Sequence, residues 1–198
     1  MAARPHSANG MAEQILDAAE KRVQVLGFNG FSYADVAGEL GVTTATIHYY
    51  FPGKTDLGVR LIERYSERFF AALAEIESNA GDLCERLRAY TEIYERVLAS
   101  ERLCLCGMLA SEYETLAEPM RELLSDFFRR NEEWLSSLLD QGRAAGGFDF
   151  EGDTNGTAIA IVGALEGAML VARAHGGMKS FRAATSLMLM NVFRPPGK

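Results

Sequence analysis

The sequence has few of the residues, and none of the short motifs, by which enzymes and metal sites are usually recognised. Its three histidines, His6, His48 and His175, stand far apart and lack neighbours of metal-ligand type. It contains no Gly-x-Ser-x-Gly, no phosphate-binding loop and no dinucleotide fingerprint. Glu112 and Glu114 flank a tyrosine, but acidic residues in such a setting usually form a solvated helix face. We therefore expect no catalytic residue, no metal and no cofactor, and we predict that the protein is not an enzyme.

Cysteine is equally scarce, with three residues in a chain of 198. An odd number without the spacing of a disulfide framework favours a reducing compartment. The first ten residues, MAARPHSANG, are small and polar, so they predict a disordered tail and show no signal peptide. The whole chain is 48% hydrophobic and 24% charged, which is typical of a soluble protein. We expect a cytoplasmic location.

The chain also lacks any run in which apolar and polar residues alternate with a period of two, so no β-sheet is predicted. Apolar residues recur instead at helical spacing along almost the whole sequence. This pattern predicts an all-α protein of about nine helices. A first helix is expected from Met11 to about Gly27, and the later ones span about 54–79, 83–97, 103–116, 119–146, 154–175 and 180–193.

Residues 32–57, SYADVAGELGVTTATIHYYFPGKTDL, predict two short helices around a glycine turn. Ser32 followed by Asp35 is a helix start signal, and Gly41 is a helix stop. Thr43 can cap the second helix, whose only large aliphatic residue, Ile47, should point inward. This is the pattern of a helix-turn-helix, which places its second helix in the major groove of DNA. A short helical hairpin without DNA contact would show the same periodicity.

The outer face of the second helix favours DNA over water. It carries small hydroxyls, an imidazole and a phenol, which suit base edges, thymine methyls and phosphate oxygens. We expect Lys54, at the start of the next helix, to anchor a phosphate. The residues predicted to face the groove are Thr44, Ala45, Thr46, His48 and Tyr49.

Residues 15–61 resemble the N-terminal domain of the TetR family of transcriptional regulators. The motifs that carry the resemblance are Gly30-Phe31, the turn from Ala37 to Val42, Tyr49-Tyr50-Phe51, and Lys54. His48 stands where the family often has tyrosine. Together with the outward face, the resemblance implies a DNA-binding set in which further residues hold or frame the backbone, namely Ser32, Tyr33, Thr43, Tyr50 and Lys54.

The net charge of −7 at first argues against a nucleic-acid partner. Residues 1–60, however, hold five lysines and arginines and six acidic residues, so the acidity lies in the rest of the chain. A near-neutral domain can bind DNA through helix N-termini, hydroxyls and a few well-placed cations. The charge therefore remains compatible with the helix-turn-helix.

The stretch LCLCGMLASE resembles the C-terminal domains of TetR-type regulators related to the electrophile-responsive repressors. Two interpretations of Cys104 and Cys106 remain open: small core residues, or reactive thiols that sense a signal. The same region is rich in aromatic residues and methionine, among them Met108, Phe127 and Trp134. They predict either a pocket for an apolar or aromatic effector or a filled core.

The segment GTAIAIVGALEGAMLVA, residues 156–172, is borderline in length for a membrane span. A carboxylate at Glu166 and many small residues favour a helix buried in a soluble interface. With the last helix it is the most apolar part of the chain, so we predict no membrane contact and a dimer interface formed by two helices of each subunit. The predicted interface residues are Leu165, Met169, Leu187 and Met190.

These patterns predict a TetR-like regulator, with a tail over residues 1–10, a DNA-binding domain over 11–55, and a ligand-binding and dimerisation domain over 56–198. The protein is expected to bind a double-stranded operator as a homodimer. We predict a repressor that leaves its operator on binding a small molecule or on meeting a thiol-reactive signal. The alternative is a helical scaffolding module that does not bind DNA.

Overall fold

A computed structural model of the chain describes residues 8–79 and 81–193. These residues form nine α-helices and one short 3-10 helix, and the all-α prediction is confirmed. Within the described ranges, the β-type pairing is an isolated bridge between Phe148 and Phe193. The helices are α1 (Ala8–Leu26), α2 (Tyr33–Leu40), α3 (Thr44–Tyr50), α4 (Lys54–Asn79), α5 (Leu83–Ala99), α6 (Leu105–Ser111), α7 (Glu118–Ala144), α8 (Thr154–Ala174) and α9 (Gly177–Met190), with the 3-10 turn Tyr113–Thr115 before α7.

Most helix bounds fall within a few residues of the predicted ones, and two differences matter. Helix α1 already begins at Ala8, within the predicted tail, although Asn9 and Gly10 have low helix propensity. The rest of the predicted tail, residues 1–7, lies outside the described residues. Helix α6 is much shorter than the predicted 103–116, since Glu101 takes a left-handed backbone (φ 59°) after α5 and the chain re-enters a helix only at Leu105.

The chain divides into two compact units. The first unit contains described residues 8–66 and 105–124, and the second contains 67–79, 81–104 and 125–193. Residues 105–124 thus group with the N-terminal helices, although they lie far beyond the predicted boundary at residue 55.

The core of the first unit is formed by the inner faces of its short helices and of the long helices that adjoin them. Ile15, Val36, Ile47 and Leu57 are each fully buried. Arg64 lies among the acidic residues of α1, and its guanidinium donates to the carboxylate of Glu20 at 2.8 Å. Separating the pair would leave a buried charge without a partner, which is costly. The ion pair therefore fixes α4 against α1.

The second unit is built around the inward stripe of α8 and the aromatic side of α7. By length and composition α8 would be sufficient to cross a membrane, since an 18-residue window has a mean hydropathy of 1.6. Its inward stripe, however, packs in the core of this unit. The buried residues of α8 are Ala158, Ile161, Val162, Leu165, Met169 and Ala172.

Candidate functional site

The ends of α2 and α3 form as their sequence predicts. Ser32 accepts a hydrogen bond from the backbone N–H of Asp35, and Asp35 Oδ2 accepts one from the Ser32 N–H at 2.7 Å. The Ser32 hydroxyl also donates to Asp35 Oδ2 at 2.6 Å, and this bond, together with the one from the Ser32 N–H, holds the pKa of the Asp35 carboxyl below its ordinary value. Gly41 ends α2 with a left-handed backbone (φ 67°), and Thr43 caps α3 by accepting from the Thr46 N–H at 3.2 Å. The turn between the two helices is therefore fixed by local hydrogen bonds.

Helix α3 has one buried side and one open side. Ile47 is fully buried, whereas Tyr49 keeps 79% of its surface exposed. Its phenol ring makes an edge contact with Tyr50 at 5.1 Å between centroids. Thr44, Ala45 and His48 are exposed as well, and Thr46 is half-buried. The predicted set therefore shares one accessible surface.

Tyr33 and His48 hold the end of α3 in place. The buried Tyr33 hydroxyl donates to the carbonyl oxygen of Phe51 at 2.9 Å, and burial raises the pKa of Tyr33 to about 12. Its ring lies 4.7 Å from the imidazole of His48, whose Nδ1 is 3.2 Å from the Pro52 carbonyl oxygen. Tyr33 thus supports α3 from inside the unit, so its hydroxyl is not directed toward solvent.

Lys54, the predicted phosphate anchor, already has partners within the first unit. Its ammonium donates to the Phe31 carbonyl oxygen and lies over two aromatic rings, 4.9 Å from the Phe28 centroid and 4.4 Å from that of Phe31. Burial lowers the pKa of Lys54 below its ordinary value. The residue therefore fixes the start of α4 to the turn between α1 and α2.

Glu112 is a functional candidate that the sequence pattern missed, because that pattern suggested only a solvated acid. Its carboxylate accepts from the backbone N–H of Phe28 at 2.6 Å and of Asn29 at 3.2 Å. The Asn29 side chain donates to the Thr115 hydroxyl at 2.8 Å. Since the partners are more than 80 residues apart, no local signal could have revealed that the segment after α6 holds the turn between α1 and α2.

The five residues predicted as an effector or sensor set do not all lie in one unit. Cys106, which is fully buried, and the half-buried Met108 belong to the first unit. Cys104, Phe127 and Trp134 belong to the second. In that unit Phe127 packs on Phe69 at 5.0 Å between ring centroids, so it is part of an aromatic core.

A polar network lies inside this aromatic core. The Tyr90 hydroxyl donates to Asn131 Oδ1 at 3.0 Å, and Asn131 Nδ2 donates to the Tyr94 hydroxyl at 3.0 Å. Trp134 stacks on Tyr90 at 5.4 Å and donates to Glu77 Oε1 at 2.8 Å. Burial raises the pKa of both tyrosine hydroxyls, which therefore stay protonated.

The outer surface of α8 and α9 is apolar. Leu187 and Met190 are 61% and 71% exposed, as expected of interface residues. Leu165 and Met169 are buried in the core of their own unit, so their assignment to the interface was wrong. Apolar residues occur on both sides of α8, and composition alone could not assign the side that faces outward. The exposed apolar residues of α8 are Ile159, Leu170 and Val171.

Two family models match the chain. The model for bacterial regulatory proteins of the tetR family matches residues 15–61, and the model for the tetracyclin repressor-like C-terminal domain matches residues 84–188. The second match alone spans more than half of the sequence. The chain belongs to the TetR family.

Individual relatives agree with this assignment. A TetR-family transcriptional regulator from Agrobacterium tumefaciens has a solved structure that is 35% identical, with a TM-score of 0.91, covering 95% of this chain and 100% of its own. Transcriptional regulator AcuR of Cereibacter sphaeroides is 28% identical over 152 residues, which is 74% of this chain and 69% of AcuR. The HTH-type transcriptional repressor NemR of Escherichia coli K12 is 26% identical over 145 residues, 70% of this chain and 71% of NemR.

The resemblance seen in the sequence is thus confirmed in both halves of this TetR regulator. The protein is a DNA-binding transcriptional regulator that binds operator DNA, dimerises and binds a small-molecule effector, as members of its family do. The scaffolding alternative is set aside by the same matches. Proteins of this family are regulators and are generally not enzymes.

Proposed function

We propose that this TetR regulator is a repressor, and that a small molecule bound in the second unit releases it from its operator. The observation that supports the DNA-reading part most is the outer surface of α3. Its hydroxyl, imidazole and phenol groups face solvent while Ile47 fixes the inner side. The similarity to NemR, which is named a repressor, favours repression over activation.

The two groups of predicted DNA-binding residues take different tasks in this proposal. Thr44 and Tyr49 read base edges, together with Ala45, Thr46 and His48 around them. The capping residues Ser32 and Thr43 lie at the N-termini of α2 and α3, where backbone N–H groups favour phosphate oxygens. Tyr50 ends α3, so it is its phenol hydroxyl that contacts the DNA backbone in this proposal. Tyr33 acts indirectly, by holding α3 in its orientation.

Replacing Lys54 by alanine should weaken binding to all DNA sequences alike. An ammonium that contacts a phosphate releases about one counterion, so the slope of log affinity against log salt should become flatter by about one unit. The measurement is fluorescence anisotropy with a labelled duplex at several salt concentrations. Lys21→Ala, which removes an exposed lysine of α1, is the control and should keep the wild-type slope.

The contacts of Lys54 with Phe28 and Phe31 provide a competing explanation that the same titration separates. If Lys54→Ala lowers the melting temperature but leaves the salt slope unchanged, the residue only supports the fold and the phosphate contact is refuted.

We place the second copy of the chain on the outer surface of α8 and α9. This surface presents Leu187, Met190 and Leu170, and Gly163 and Gly167 have open space where a side chain would be. Small residues allow helices of two subunits to approach closely, and two helices from each would form a four-helix interface with two-fold symmetry. Such a dimer presents two α3 helices to one operator.

Release by an effector requires that the effector bind the free and the operator-bound protein with different affinity. A thermal-shift screen of small molecules should identify compounds whose affinity falls when operator is present. A compound that binds equally well with and without operator would argue against release by that compound.

A quinone in the same screen tests whether a thiol is the sensor. If the quinone releases the wild type from its operator but does not release Cys106→Ser or Cys104→Ser, the substituted cysteine is the sensor. Release retained in both variants would make the two buried thiols structural.

We further propose that the protein acts in the cytoplasm and has no catalytic activity of its own. Regulators of this family are soluble DNA-binding proteins, and the three cysteines, all described, are present as free thiols. If the protein consumed a screened effector in a turnover assay, the proposed lack of catalytic activity would be contradicted.

A further inference from the structure

The polar groups inside the second unit fall into two classes. Tyr90, Tyr94 and Asn131 are almost fully buried, and each has hydrogen-bond partners within the trio. A buried network whose members are all satisfied stabilises a defined core and needs no ligand. The trio therefore forms the framework of this region.

Glu166 of α8 belongs to the other class. Its carboxylate takes a hydrogen bond from the Cys104 thiol, but its Oε1 atom is buried and has no hydrogen-bond partner. Burial raises the pKa of Glu166 to about 7, and the groups that influence this pKa include no lysine or arginine. A buried carboxylate is costly unless a donor or a cation reaches it. None of the described residues supplies a partner for Oε1, which leaves this atom available to a ligand.

The surroundings of Glu166 indicate the chemistry of the missing partner. Tyr90 and Tyr94 are close enough to interact electrostatically with its charge. Trp134 stacks on Tyr90, and Phe69 makes an edge contact with Tyr94 at 6.3 Å. Aromatic faces attract cations, and a carboxylate accepts the N–H groups of an ammonium. An acidic chain with a net charge of −7 also favours the approach of cations.

We propose that Glu166 anchors the effector site and that the effector is an organic ammonium ion carrying an apolar or aromatic group. This inference rests on the proposed effector control and names the class of effector. The Glu166 Oε1 atom accepts an N–H of the ligand, and the apolar part of the ligand packs against the aromatic core. Helix α8 also carries the outer surface on which we place the second subunit. A ligand that displaces α8 from α5 would therefore alter the dimer surface directly.

The test uses three probes of similar shape: benzylammonium, benzyl alcohol and benzoate. Binding to the full-length protein is followed by calorimetry and by thermal shift at about pH 8, where Glu166 is mostly ionised. Benzylammonium should bind the wild type and raise its melting temperature. Glu166→Gln should weaken that binding by about tenfold or more, because a charge-assisted hydrogen bond is lost. Asp140→Asn removes an exposed carboxylate of α7 in the same unit and should leave the binding unchanged.

The dependence of the melting temperature on pH is a second measurement. It checks that Glu166→Gln is folded and reports on the ionisation of the carboxylate itself. A carboxyl whose folded-state pKa is raised makes the protein less stable as pH rises from its unfolded value to its folded value. The wild-type melting temperature should therefore fall between about pH 5 and pH 8 more steeply than that of Glu166→Gln. The variant should be at least as stable as the wild type at the upper end.

Three results would overturn the assignment: no binding of benzylammonium, equal binding to Glu166→Gln, or tighter binding of benzoate. These outcomes leave the proposed effector control open to separate judgement. If a compound of another class raises the melting temperature and displaces operator, effector control stands and only the ammonium assignment fails.

Discussion

Leu187→Glu should convert the dimer to a monomer and lower operator affinity by about a hundredfold or more, since linking two DNA-binding heads typically raises affinity by that order. Leu187 is 61% exposed on α9, within the surface on which we place the partner subunit. A residue near a two-fold axis lies close to its own copy, so a new charge there repels itself as well as losing apolar contact. Every residue that faces DNA remains intact in this variant.

Sedimentation and operator anisotropy on the same samples check this prediction. Ser137→Glu places the same charge on the exposed side of α7 and should remain dimeric with wild-type affinity. If Leu187→Glu stays dimeric at micromolar concentration, the α8–α9 surface is not the interface. A Leu187→Glu monomer that still binds operator at full strength would show that one head suffices.

Tyr49→Ala should reduce operator affinity by about 10- to 100-fold, the range expected when a contact to a base edge is lost. The fold should be unaffected, because the side chain is 79% exposed and its ring contact is with Tyr50. Thr44→Ala, on the same surface, should change which base is preferred rather than weaken all sequences equally.

Tyr113→Ala is the matched control for Tyr49. It removes another exposed tyrosine of the first unit, one that belongs to the 3-10 turn before α7 and whose ring lies under Arg121. Its operator affinity should equal that of the wild type. The groove assignment is wrong if Thr44 and Tyr49 can both become alanine with no loss of affinity.

The helix-turn-helix could be predicted from sequence because its signals are local. Ser32, Asp35, Gly41 and Thr43 act within three or four residues of themselves, and Ile47 is the only large aliphatic residue of α3. The caps and the turn therefore follow from hydrogen bonds that short peptides already favour. The family resemblance carried the same information.

The features that could not be predicted depend on contacts between distant residues. Glu112 looked like an ordinary surface acid because its partners, Phe28 and Asn29, lie more than 80 residues earlier. On α8 both sides are apolar, so composition could not tell inward Leu165 from outward Leu170. Glu166 was expected only to argue against a membrane span, and its unpartnered oxygen became visible only with Cys104 and the tyrosines around it.

The most direct test of the central claim is selection of operator DNA from a random duplex library by the full-length protein. We expect enrichment of a palindrome whose half-sites lie about one helical turn apart, roughly 34–36 Å, bound by two chains. Tyr49→Ala should lose most of the affinity for the selected duplex. Two results would contradict the reading of DNA by α3. One is that no sequence is enriched; the other is that the wild type and the double variant Thr44→Ala/Tyr49→Ala enrich the same sequences equally.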